Sequence, residues 1–139
     1  MHALLLGLRH VALNVRDVQQ SVAFYCSVIG MRVEWAPDPD NVYLTCGGDN
    51  LAIHKLSEGT KPDGPQTLNH IGFIVARPED VDDIAARVQA QGIELVEPVR
   101  THRDGARSFY FRDPDGILIQ LLYHPPISGA RHPEGVQGR

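Results

Sequence analysis

Two cysteines, one tryptophan and no apolar run of membrane length set the first bounds on this 139-residue chain. Cys26 and Cys46 have no metal-type spacing and sit among apolar neighbours, which argues against a thiolate metal site and favours free thiols over a disulfide. They are expected to be buried free thiols in a reducing compartment. No stretch approaches the ~20 apolar residues of a membrane helix. The opening Met-His-Ala-Leu-Leu-Leu-Gly-Leu lacks a basic start and is too short in apolar residues for a signal peptide, so a cytoplasmic location is expected. Positive charge is also scarce. Thirteen Lys and Arg face seventeen Asp and Glu, a net charge of −4, which argues against nucleic-acid and anionic-membrane partners. What remains is ordinary for a globular chain, 42% hydrophobic and 22% charged, long enough for one domain with its own core.

An internal repeat organises the chain. Residues 8–15 read Leu-Arg-His-Val-Ala-Leu-Asn-Val, and residues 68–75 read Leu-Asn-His-Ile-Gly-Phe-Ile-Val. Both predict strands, headed by His10 and His70. Alternation puts Val11, Leu13 and Val15 on one face and His10, Ala12 and Asn14 on the other. In the second copy Ile71, Phe73 and Val75 oppose His70, Gly72 and Ile74. Each histidine therefore stands beside a small residue that leaves room for a ligand.

A helix follows each strand. Asp17, with Gln20 three residues on, predicts a capping box, Val18, Val22, Tyr25 and Ile29 a buried stripe, and Gly30 a stop. The second helix starts at Pro78 and Asp80, buries Val81, Ile84 and Val88, and ends at Gly92. Strands are expected over Met31–Trp35, Val42–Cys46 and Leu51–Leu56, then Ile93–Glu97, Ser108–Arg112 and Ile117–Tyr123. Asp113-Pro114-Asp115-Gly116 joins the last two as a tight turn. The plan is α+β: one domain over 1–139, with module one at 8–56, a linker at 57–67, module two at 68–124 and a poorly ordered tail at 125–139.

The doubled βαβββ plan, the two strand-heading histidines and Ser-Phe-Tyr-Phe-Arg-Asp-Pro-Asp-Gly-Ile-Leu-Ile-Gln at 108–120 resemble the vicinal-oxygen-chelate superfamily of glyoxalases, bleomycin-resistance proteins and extradiol dioxygenases. The resemblance implies a curved mixed sheet around one cleft. It also implies a divalent metal (Fe, Mn, Zn or Ni) held at His10, His70 and Gln120, and a homodimer acting on a small molecule with adjacent oxygens. Position 120 departs from the family's usual glutamate: an amide offers one neutral oxygen and cannot serve as a base. A fourth ligand position falls at Ala52, and His54 shares its face as a pocket residue.

Within the resemblance, His102, Tyr110, the Asp113–Gly116 turn and Gln120 follow the extradiol dioxygenase signature, which ends in Glu and expects a small or aliphatic residue where Arg100 stands. That branch also carries a catalytic histidine where this chain has Gly48-Asp49-Asn50. The fosfomycin-resistance branch has threonine at the position of Ala12, and glyoxalase I has carboxylate ligands in both modules. The resulting expectation is a metal-dependent enzyme of undetermined reaction, the alternative being a metal-free ligand-binding protein of the bleomycin-resistance type. Tyr110 is either a half-buried strand aromatic or a donor or acid sharing Gln120's cavity, and His102 is a second catalytic candidate. Arg103, Arg107 and Arg112 read as surface charges, although the loop 101–107 has the position to close over a substrate. His2, His124 and His132 read as solvent-exposed, and Trp35 as core or subunit contact.

Overall fold

Alternating β-branched and aromatic residues do form the expected strands, in two sets of four. The computed structural model describes residue 4 and residues 6–59 and 68–128; the rest of the linker, the tail beyond 128, His2 and His132 lie outside the described residues. The chain divides into two compact units, one carrying residues 6–59 and the other 68–128 of the described part.

The first unit runs β1 (His10–Val15), α1 (Val18–Phe24), a π-turn (Tyr25–Ile29), β2 (Arg32–Asp38), β3 (Asn41–Thr45) and β4 (Asn50–Lys55). Its sheet has the order β1-β4-β3-β2, with β1 parallel to β4 and the other pairs antiparallel. The second unit repeats the plan with β5 (Ile71–Ile74), α2 (Pro78–Ala90), β6 (Leu95–Thr101), β7 (Arg107–Arg112) and β8 (Leu118–Tyr123), in the order β5-β8-β7-β6. A four-residue helix, α3 (Pro125–Ser128), opens the segment expected to be poorly ordered, which corrects that reading for its first residues. His124 N donates to Ser128 Oγ at 2.9 Å and closes this turn.

Each helix covers one face of its own sheet. Helix α1 lies on β3 and β4, over Val42, Leu44, Leu51 and Ile53, all buried. Asp17 caps it by accepting from Gln20 N at 3.0 Å. The π-turn adds a residue to the last turn, so the buried positions become Val18, Ser21, Phe24, Tyr25 and Val28. Val22 and Ile29, expected in that stripe, are only half-buried. Helix α2 packs on β6, β7 and β8, burying Val81, Ala85 and Val88 over Phe109, Phe111, Ile119 and Leu121. Ile84 is half-buried, because Ala85 lies nearer the middle of the apolar face. The opposite sheet faces carry the histidines.

Two other expectations are corrected. Cys46 is exposed and Cys26 half-buried, both free, because Cys46 falls in the β3–β4 turn. Trp35 is 59% exposed, on the outermost strand of its sheet, so it is not a core residue.

Candidate functional site

In the first unit the parallel register of β1 and β4 sets His10 beside Asn50, Ala12 beside Ala52 and Asn14 beside His54. Paired residues share a face, so His10 and His54 look out from the side of the sheet that α1 leaves open. His10 Nδ1 lies 2.7 Å from Asn50 Oδ1, and Asn50 Nδ2 donates to Glu34 Oε1 at 3.4 Å. His54 Nδ1 lies 2.6 Å from Asn41 Oδ1, and the Asn41 amide donates to both Asp38 oxygens at 2.9 and 3.1 Å. The Tyr43 ring meets His54 edge-on, with Trp35 stacked on Tyr43. Ala52 shares this face and offers no ligand atom.

In the second unit β5 starts one residue later than expected, so His70 immediately precedes it. Gly72 pairs with Gln120, and Tyr110 pairs with Gln120 from the other side. His70, Gly72, Gln120 and Tyr110 thus share one face by alternation. His70 Nδ1 lies 2.7 Å from Asn69 Oδ1, and its ring meets Tyr110 edge-on at 5.5 Å between centroids. A Cβ at Gly72 would stand 3.8 Å from Gln120 Oε1, in ordinary contact, so the glycine lies directly beside that oxygen. Gln120 is 9% exposed, and its amide has no hydrogen-bond partner among the described residues.

That amide opens on a cavity of about 690 Å³ lined by Arg100, His102, Arg103, Gln120, Leu122 and His124 among others. Arg103 is exposed at the cavity's rim, as the sequence reading had it, whereas His124, expected in solvent, is half-buried on its wall. Arg107 instead pairs with Asp82 at 2.6 Å, tying β7 to α2, and Arg112 donates to Gly116 O. Tyr110 faces the same way as Gln120 but does not line this cavity; its ring goes to His70. Burial and the nearby Glu97 carboxylate hold its phenol above the ordinary value, against a smaller lowering by Arg100.

The bonds of His102 fix its tautomer. Arg100 Nη2 lies 3.2 Å from His102 Nδ1, and a guanidinium can only donate, so Nδ1 is the acceptor. Nε2 then carries the proton and donates to Ser108 Oγ at 3.0 Å. Both ring nitrogens are engaged, which suits His102 to orienting the Arg100 guanidinium on the cavity wall. Asn50 and Asn41 escaped the sequence reading because strand register is what brings them to His10 and His54, whereas Asn69 and Arg100 adjoin their histidines in sequence.

Among the described residues no three His, Cys, Asp or Glu side chains cluster as a metal site. The implied set has two imidazoles and an amide. Its donor chemistry fits a divalent ion of borderline softness: each imidazole has Nδ1 tethered, which leaves Nε2 for a metal, and the Gln120 oxygen is free.

Known proteins resemble the chain over most of its length. The chain is 30% identical over 132 residues to a manganese-dependent 2,3-dihydroxybiphenyl 1,2-dioxygenase of Geobacillus genomosp. 3, covering 94% of this chain but only 40% of that protein. It is 33% identical over 120 residues to the glutathione transferase FosA of Serratia marcescens, covering 85% of this chain and 81% of the relative. The lactoylglutathione lyase structure from Agrobacterium tumefaciens, 22% identical, superposes with a TM-score of 0.73 over 90% of this chain and 98% of that one, a likeness of fold. The family model of the same superfamily matches residues 7–121, and the chain belongs to the Glyoxalase/Bleomycin resistance protein/Dioxygenase superfamily.

Proposed function

We propose that the chain is a divalent-metal-dependent enzyme acting on a small anionic molecule with adjacent oxygens, with His10, His70 and Gln120 as the metal's protein ligands. One observation carries the reading: a nine-tenths-buried amide, unpartnered among the described residues, opens on a cavity beside a tethered guanidinium. The residue is nine-tenths buried while its amide stays reachable from the cavity, so a ligand bond there replaces one to water. A manganese-dependent dioxygenase and metallothiol transferases among the relatives support the metal.

The metal, when bound, would polarise the substrate oxygens as a Lewis acid. The chain's own residues do the rest. Arg100, held by His102, pairs with a carboxylate, phosphonate or phosphate of the substrate, with Arg103 adding charge at the cavity wall. Tyr110, kept protonated by burial and by Glu97, donates a hydrogen bond or a proton. Gln120 supplies no base, so the reaction does not take its proton from a ligand carboxylate.

Metal analysis of protein purified without a metal-affinity tag, followed by calorimetric titration with manganese, zinc and nickel, tests the proposal. Wild type is expected to bind one ion and Gln120→Leu to lose it. Equal behaviour of wild type and Gln120→Leu would put position 120 outside the ligand set. No binding by wild type would favour metal-free sequestration of a small ligand. Tyr110→Phe is expected to lower turnover on an accepted substrate by about 10²-fold or more while the fold persists.

A further inference from the structure

The metal reading leaves half of the first unit's open sheet face unexplained. Two histidines stand there, and each heads the same chain of bonds: imidazole Nδ1, an asparagine amide, a carboxylate on β2. For His54 the distances are 2.6 Å to Asn41 and 2.9 and 3.1 Å from Asn41 to Asp38. For His10 they are 2.7 Å to Asn50 and 3.4 Å from Asn50 to Glu34. Asp38 is fixed in turn by accepting from Asp40 N at 2.9 Å.

The carboxylates decide the protonation pattern. An ionised carboxylate only accepts, so each asparagine turns its NH2 toward β2 and its oxygen toward the imidazole. That oxygen accepts only from a protonated nitrogen. Nδ1 must carry the hydrogen, and Nε2 is left with its lone pair. An unconstrained neutral imidazole favours the opposite tautomer, so the asparagine must impose this one.

We propose that Asn50 and Asn41, oriented by Glu34 and Asp38, are positioning residues that lock His10 and His54 as Nδ1–H tautomers, so that His10 presents Nε2 to the metal and His54 presents Nε2 as a hydrogen-bond acceptor for a hydroxyl or amine group of the bound molecule. The His10 half rests on the metal reading; the tautomers and the His54 half do not. His54 is half-buried, with the Tyr43 ring at its edge, so a donor that reaches it replaces few water contacts.

Long-range proton–nitrogen correlation spectra of histidine-labelled apo-protein, recorded with the imidazoles neutral, read the tautomers directly. Both His10 and His54 are expected with protonated Nδ1 and bare Nε2. Asn50→Leu should shift only His10 toward the Nε2–H form, and Asn41→Leu only His54. Asp38→Asn, which frees the Asn41 amide to flip, is the milder variant should Asn41→Leu not fold. In manganese titration Asn50→Leu should weaken binding by about 10–100-fold, with Asn41→Leu unchanged. Diethyl pyrocarbonate, which acylates a bare imidazole nitrogen, should modify His54 in wild type, and more slowly in Asn41→Leu. Nε2–H tautomers in wild type, or no change in either variant, would overturn the relay whatever the metal does. Wild type that binds no manganese while keeping both tautomers would overturn the metal reading and leave the relay standing.

Discussion

At position 120 a single atom separates this chain from a carboxylate-bearing site. The amide oxygen of Gln120 has a lone pair to give but no charge, so the proposed set of two imidazoles and an amide would hold a divalent ion without neutralising it. Gln120→Glu adds an anionic oxygen in a position only 9% exposed, where screening by water is weak. Manganese affinity is expected to rise on the order of tenfold, about 1.4 kcal/mol, by calorimetry on the apo-protein. The same change supplies a base at a ligand position that has none, so any isomerase activity should appear first in this variant. Equal affinity in both proteins would mean that this side chain does not touch the metal. The histidines at 10 and 70 were legible because the repeat sets them in matching places. Their tethers were not: Asn50 lies forty residues from His10, and only the β1–β4 register brings them together.

Elements were legible where their period was regular. The order strand, helix, three strands appears twice as read, and the faces of β1 and β5 alternate as the sequence implied. Local geometry hid the rest. A π-turn cannot be read from a 3.6-residue period, and it moved the buried stripe of the first helix off Val22 and Ile29. Strand β6 extends to Thr101 past irregular pairings, which puts Arg100 opposite Ser108 on a wall rather than in a loop. The Asp82–Arg107 pair joining α2 to β7 gives a test at this scale. The Arg107 hydrogen bonds lower the Asp82 pKa below its ordinary 3.8, against a smaller desolvation effect. A carboxyl depressed in the folded state stabilises at pH above its unfolded value, and that contribution fades as pH falls through the folded one. Both side chains are substantially exposed, so the pair is worth less than about 1 kcal/mol. Denaturant melts of Asp82→Asn should show a small loss at pH 7 that vanishes near pH 2. A loss independent of pH would assign it to packing instead.

For the whole molecule, the proposed ligand set draws on residues far apart in the sequence, His10, His70 and Gln120. Two neutral donors hold a divalent ion too weakly for calorimetry to register, so His10→Ala and His70→Ala should each abolish measurable binding, where wild type binds one ion per 139-residue chain. Retained binding in His10→Ala would mean that the second unit holds the ion by itself, and two ions per chain that each unit does. Stability reports the same coupling, since an ion that binds only the folded chain stabilises it by about 2.7 kcal/mol at a hundredfold excess over Kd. At roughly 2–4 °C per kcal/mol, manganese should raise the wild-type melting temperature by about 5–10 °C. In His10→Ala, where the folded state gains no ligand, the shift should be absent. A shift that persists in His10→Ala and His70→Ala alike would place the stabilising ion elsewhere on the chain and remove the ground for assigning these residues to one site.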